Sequence, residues 1–197
     1  YSTLNPIDAE AKGHVAILNL RQGDNAASYT PSFSTFGLYA DSPKTYVEVS
    51  IPNANALVEI GITNYFFELG GEGAAANKAG AFFNGASGTG NVFNQGTSLF
   101  NPGATGLAVT LQIAIEPATG KLWIGKANSW YNSSGGTDGN PSTGANPTMT
   151  VAMNRPWYFY ALAKNQNVWH YGSGVGGTDD FEYTPPTDFV TLSTQDL

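Results

Sequence analysis

The sequence predicts an all-β fold, a sandwich of two antiparallel sheets. Three observations carry this expectation. Large aliphatic residues recur at every second position in several short runs. Turn-forming Gly, Pro and Asn separate those runs. No stretch of helical length combines an amphipathic pattern with capping residues. The clearest alternation is Leu107-Ala108-Val109-Thr110-Leu111-Gln112-Ile113-Ala114-Ile115, with an aliphatic at each odd position. The turn chemistry of Glu116-Pro117-Ala118-Thr119-Gly120 follows, and Lys121-Leu122-Trp123-Ile124-Gly125 reads as the returning strand of a hairpin.

The other elements rest on the same logic. Residues 45–51 set Val47, Val49 and Ile51 against Tyr46, Glu48 and Ser50, and residues 57–63 place Val58, Ile60 and Ile62 on one face. Asn53 and Asn55 after Pro52 supply the turn between them. Residues 14–20, 33–39, 157–162 and 168–171 are further strands, rich in β-branched and aromatic residues. Residues 71–78 form the best helical stretch, and their Gly content weakens it. Residues 70–106 hold ten Gly but also Phe82, Phe83, Phe93 and Phe100, so they read as short strands joined by Gly turns rather than as a linker. Residues 132–147, made of Gly, Ser, Asn and Pro without apolar anchors, read as a long exposed loop.

Composition excludes several functions. The 197 residues are 41% hydrophobic and 13% aromatic, enough for a core and too much for disorder. Only 12% are charged, whereas 14 Ser, 19 Thr and 18 Asn supply polarity without ions. No apolar run is long enough for a spanning helix, so no membrane insertion is expected. Eight basic against 15 acidic residues argue against a nucleic-acid partner. With no Cys, disulfides and thiol chemistry are absent. The length suits one domain across residues 1–197, and Tyr1 in place of Met is expected of a piece processed or excised from a larger chain.

Chemical motifs are sparse. A Ser–His–acid triad would have to use His14 or His170, both in predicted strands, and no G-x-S-x-G elbow is present. Glycoside hydrolysis needs two carboxylates across a cleft. Glu48 and Glu59 could form such a pair if their strands were neighbours; otherwise each is a solvent-facing residue alternating with core aliphatics. Asp138-Gly139-Asn140 begins like a calcium loop, but Thr143 and Met149 stand where Gly and Glu would be required. Asp179-Asp180 is a second acidic pair, and for both a solvated loop is the simpler reading, so no cofactor is expected and Ca²⁺ has no firm support. No phosphate-binding Gly loop precedes a helix. Asn132-Ser133-Ser134 fits a glycosylation sequon. Aromatics near loops remain as ligand-binding candidates: Trp130 and Tyr131 before the long loop, and Trp169 and Tyr171 beside His170. Trp123 and Trp157 are expected in the core.

With these strands placed, the chain resembles the SPRY family, in the variant found in bacteriophage and prophage proteins. Thr3-Leu4-Asn5-Pro6 resembles that variant's opening, followed by the Ile17-Leu18-Asn19-Leu20 strand. Lys44-Thr45-Tyr46-Val47-Glu48-Val49 resembles its W/Y-x-E-V strand, and Val58-Glu59-Ile60-Gly61-Ile62 its V-G-I/V strand. The hairpin of residues 107–125 and the strand Trp157-Tyr158-Phe159-Tyr160-Ala161 also fit. The most specific piece is the close: Phe181-Glu182-Tyr183-Thr184-Pro185-Pro186, Asp188-Phe189, and Leu192-Ser193-Thr194-Gln195-Asp196-Leu197. The chain departs from the pattern at Glu116, where Asp is usual, and at Asp188, where Gly precedes the Phe. Tyr171-Gly172-Ser173-Gly174 with an insertion at 175–180 replaces the usual run before the close, and the 132–147 loop is longer than the hairpin return requires.

The resemblance implies a jelly-roll-like sandwich related in shape to concanavalin-like lectins, and a non-catalytic module that binds through edge loops. In phages such modules belong to virion structural proteins of tail or fibre type. The expected partner is therefore a host cell-surface receptor, a glycan among the choices, or another virion protein, and the expected location is virion or extracellular. A trimer would suit a fibre. The ligand-binding candidates are Trp130, Tyr131, Asn132, Asp138, Asn140, Trp169, Tyr171, Asp179 and Asp180. Two alternatives stand beside this reading: a lectin or glycan-cleaving enzyme on the same sandwich, and an architectural spacer.

Overall fold

The computed structural model describes residues 15–17, 21–23, 30–34, 37–51, 57–64, 76–84, 89–103, 109–164, 168–171 and 181–191. These contain fifteen strands, one 3-10 turn and no α-helix. In chain order the strands are β1 (Val15–Ile17), β2 (Arg21–Gly23), β3 (Thr30–Phe33), β4 (Thr45–Ile51), β5 (Leu57–Thr63), β6 (Lys78–Asn84), β7 (Gly90–Asn94) and β8 (Thr97–Phe100). Then come β9 (Val109–Glu116), β10 (Lys121–Lys126), β11 (Ser129–Trp130), β12 (Met149–Thr150), β13 (Tyr158–Lys164), β14 (Val168–Tyr171) and β15 (Val190–Thr191).

They form two sheets. The first runs β1-β2-β14-β4-β9-β10-β11, with β12 also on β10 and β15 also on β4; the second runs β3-β13-β5-β6-β7-β8. All pairings are antiparallel except that of β15 with β4. The period-two pattern fixes the register. Val47 pairs with Ile113 and Ile113 with Ile124, so inward aliphatics form rows across three strands. Val58, Ile60 and Ile62 of β5 face them from the second sheet, with Ala81 and Phe83 of β6 and Phe159 of β13. All are fully buried, each large side chain contributing about 1.5–3 kcal/mol of transfer free energy.

Most predicted strands match, including residues 45–51, 57–63 and 168–171. The Gly-rich stretch does form β6, β7 and β8, and Lys78 begins a strand rather than ending a helix. The expected strand at 33–39 is different. β3 stops at Phe33, and Leu38 makes only an isolated bridge to Trp157. The chain turns at 40–42 and enters β4 in the other sheet, so the alternation there marks a crossing and not a continuous strand.

The outward faces are not simply solvated. In the second sheet, Tyr160, Gly61, Gly80 and Phe93 lie in one row. The Lys78 Nζ reaches past the paired glycines to Glu59 Oε1 at 2.7 Å, with both side chains fully buried. The ammonium lies 5.6 Å from the Phe93 ring and 5.8 Å from the Tyr160 ring, and the Tyr160 hydroxyl donates to the same Glu59 oxygen. A Cβ on Gly61 would stand 2.2 Å from the Ala79 carbonyl oxygen. Gly61→Ala is therefore expected to destabilise the fold by about 1–3 kcal/mol, as measured by denaturant unfolding; a loss below 0.5 kcal/mol, roughly the scatter of neutral surface changes, would contradict the close approach.

Candidate functional site

The site is built on the outward face and the free edge of the first sheet. On the outward face, Tyr46, Ala114 and Trp123 form one row, and Glu48, Gln112 and Gly125 the next. A Cβ on Gly125 would press into the Trp130 ring at 2.9 Å, so the glycine makes room for that indole. Residues 181–191 cover this face as a strap. Phe181 packs on Tyr46 at 5.4 Å, and Phe189 meets Trp123 edge-on at 6.3 Å. The strap ends in β15, beside the first half of β4, whose second half pairs with β14.

Glu48 is the polar anchor of the strap. Its carboxylate accepts from the backbone N–H of Glu182 at 2.8 Å, from that of Tyr183 at 3.0 Å and from the Tyr46 hydroxyl. Gln112 in turn donates to Tyr46 at 2.9 Å. Burial raises the Glu48 pKa; the three donors oppose the shift, and the nearby Glu182 carboxylate adds to it. Burial likewise pushes the Tyr46 phenol upward.

The second part of the site lies at the sheet edge. β11 and β12 both pair with β10, one at each end. They act as one edge strand interrupted by residues 131–148. Thr148 fills the break: its hydroxyl accepts from Ile124 N–H at 3.0 Å and donates to the Tyr131 carbonyl. Side chains that mimic backbone shape the excursion. Asn132 Oδ1 accepts from the N–H groups of Ser134 and Gly136 at 2.7 and 3.0 Å. Asn140 accepts from Thr143 N–H and caps a 3-10 turn over Pro141–Thr143, which closes at Gly144 with φ 70°. Asn132 Nδ2 donates to Asp138 Oδ1, and Asn146 Nδ2 donates to Asp138 Oδ2 at 2.9 Å. Trp123 Nε1 and Lys121 Nζ fasten the loop through the carbonyls of Ala145 and Gly144, each at 2.9 Å. Thr187 N–H of the strap donates to the Ser142 hydroxyl at 3.0 Å. Beside this loop opens a groove of ≈ 440 Å³, lined by Asn132, Ser133, Ser134, Asp138, Asn146, Pro147, Met149 and Thr150.

The candidates from sequence fall into three groups. Asn132 and Asp138 meet at the groove, and Asn140 shapes its loop. Trp130 and Tyr131 are packing residues. Trp130 is half-buried and edge-on to Tyr46, while Tyr131 is buried in the core against Phe100 with its hydroxyl on the Pro102 carbonyl. Trp169 and Tyr171 lie on β14, inside the first sheet and four strands from β11, roughly 19 Å away at the usual strand spacing. Asp179, Asp180 and His14 lie outside the described residues. Ser133 and Ser134 were singled out in sequence only as part of the Asn132-Ser133-Ser134 sequon, and Asn146 and Thr150 had no signal beyond their place in or beside an Asn/Ser/Thr-rich loop.

Two expectations are corrected. Glu48 and Glu59 do not form a catalytic pair, because β4 and β5 belong to different sheets and the two acids lie on opposite outward faces. Neither is solvated: Glu48 is held under the strap, and Glu59 is paired with Lys78. The 132–147 loop, expected to lack apolar anchors, carries buried Pro141 and is fastened at Trp123. Among the described residues no group of three or more His, Asp or Glu is placed to hold a metal ion.

Two measurements test this arrangement. The Glu48 pKa is higher folded than unfolded, so its stabilising effect is fully present below about pH 4.5 and is lost as pH rises through the folded value. Stability of the wild type relative to Glu48→Gln should therefore increase as pH is lowered from neutral towards that value, and parallel pH profiles would refute it. Asp188 holds φ at 67°, the conformation that explains why the resembling pattern has Gly there. Asp188→Gly should stabilise the protein by about 0.5–1 kcal/mol in denaturant unfolding.

No family model matches the sequence, and neither does any curated protein. Solved structures do match in shape. The SPRY domain of human HERC1 aligns with 9% identity over 85% of this chain and 96% of its own, at a TM-score of 0.59. The PSpry domain of TRIM65 aligns with 11% identity over 88% and 90%, at 0.63, and a human SPRY domain with 11% over 80% and 93%, at 0.50. The shared property is the path of the backbone through both sheets, and on that ground the chain has the SPRY-type β-sandwich fold.

Proposed function

We propose that this chain is a non-catalytic binding module of a phage virion protein of tail or fibre type, and that it contacts a receptor on the host surface through the 131–150 loop. One observation carries the reading. The loop is held in one shape by its own Asn and Thr side chains, yet it leaves Ser133, Ser134, Asp138, Asn146 and Thr150 exposed along a single groove. A loop that is already ordered gives up little conformational entropy on binding. The SPRY-type fold supports the binding role, and the sequence resemblance supports the phage setting.

The test is binding of the labelled chain to a panel of bacterial strains. Ser133→Arg combined with Thr150→Arg places two long cations in the groove at exposed positions, where folding should tolerate them. The wild type should label at least one strain, and the double variant should label it about tenfold less with an unchanged Tm. Equal labelling by both proteins would remove the loop from the contact surface. Labelling of no strain would favour the architectural reading over the receptor-binding one.

A further inference from the structure

The chemistry of the groove restricts what it can hold. Asp138 is exposed and makes no salt bridge among the described residues. Each of its oxygens already accepts one amide N–H, from Asn132 and from Asn146, so the carboxylate is fixed in orientation with lone pairs to spare. A carboxylate held in this way can accept from two adjacent hydroxyls at once. Ser133, Ser134 and Thr150 add hydroxyls that can both donate and accept. Half-buried Pro147 supplies the accessible apolar part of the lining, and Met149 behind it belongs to the core. An anionic ligand would meet Asp138 with no Lys or Arg in the lining to offset it, in a chain of net charge −7. A ligand that suits all of these groups is neutral, carries neighbouring hydroxyls on one side and presents C–H groups on the other.

We propose that the Asp138 groove is a binding subsite for a neutral pyranose, with Asp138 accepting from two vicinal hydroxyls and the ring's C–H face resting on Pro147. The inference rests on the 131–150 loop being the contact surface, and it names the ligand class of that surface. An ammonium or guanidinium group is the competing occupant. It would satisfy Asp138, but it makes no use of the hydroxyl-rich wall or the apolar lining.

Saturation-transfer NMR on the intact chain decides between these occupants. The probes are methyl α-mannoside, methyl α-glucoside, methyl α-galactoside and N-acetylglucosamine, with glucuronate, methylammonium and methylguanidinium beside them. At least one neutral sugar should bind, with an affinity that does not change between low and high salt, because no charge pair forms. Thr150→Arg should abolish the signal, and Asp138→Asn should weaken binding about tenfold, the loss expected for charge-assisted hydrogen bonds. Asp138→Asn could disturb the loop, so Thr150→Arg, which alters none of Asn132, Asp138 and Asn146, is the controlling variant. Binding of no neutral sugar overturns the proposal. So does sugar binding that survives Thr150→Arg, or preferred binding of glucuronate or of a cationic probe.

The cell assay separates this failure from that of the module's role. Loss of labelling in Ser133→Arg/Thr150→Arg with no sugar bound leaves the contact face standing and rejects the pyranose. A sugar bound in the groove with labelling unaffected rejects the receptor contact and keeps the subsite.

Discussion

The first sheet depends on the satisfaction of one buried carboxylate. Glu48 stands among Tyr46, Gln112 and the strap, where a carboxylate without donors would cost several kcal/mol. The donors that meet it include two successive backbone N–H groups, those of Glu182 and Tyr183. These fix where the strap crosses β4 and bring Phe181 onto Tyr46 and Phe189 onto Trp123. Trp123 then carries the constraint to the opposite edge, since its indole N–H is satisfied by the carbonyl of Ala145 in the long loop. The geometry of the groove is thus tied, through one tryptophan, to a hydrogen-bonded carboxylate on the third strand away from β11.

Two interruptions of otherwise ordinary strands shape the proposed binding surface. β11 and β12 share one edge of β10, and the excursion between them forms the groove. β14 and β15 share one edge of β4, and the strap returns between them. Side chains meet backbone groups in both, Asn132, Asn140 and Thr148 in the first and Glu48 at the N–H groups of Glu182 and Tyr183 in the strap. Side-chain carbonyls and hydroxyls therefore do the work that ion pairs do on more highly charged surfaces. This accounts for a chain with few charges and abundant Asn, Ser and Thr. Such a surface is already organised for hydrogen bonding with a neutral partner, and salt screens it little.

The second sheet solves a different problem. Lys78 and Glu59 are buried together, and burial of an ion pair is tolerated only with close geometry and further hydrogen bonds. The paired Gly61 and Gly80 leave a slot in which both side chains can extend along the sheet, between the rings of Tyr160 and Phe93. Replacement of either glycine would close the slot against the neighbouring backbone.

Much of the fold was legible in sequence because the period of two is a local property. The rows Val47–Ile113–Ile124 and Val58–Ile60–Ile62 follow from alternation, and the hairpin turn from Pro117 and Gly120. Crossings between sheets were less legible, as residues 33–39 show, because alternation persists locally where the chain changes sheet. For the site, the sequence singled out Asn132, Asp138 and Asn140 as polar residues in a loop. It did not distinguish Tyr131, which enters the core, from an exposed aromatic, nor did it show that Glu48 and Glu59 face away from each other. Those outcomes depend on which strands become neighbours. The sequence by itself determined the alternating strands, the turns and the low-charge surface. Only the tertiary structure decided which outward faces are covered and which loop side chains converge, since long-range pairing and burial set the partners of each side chain.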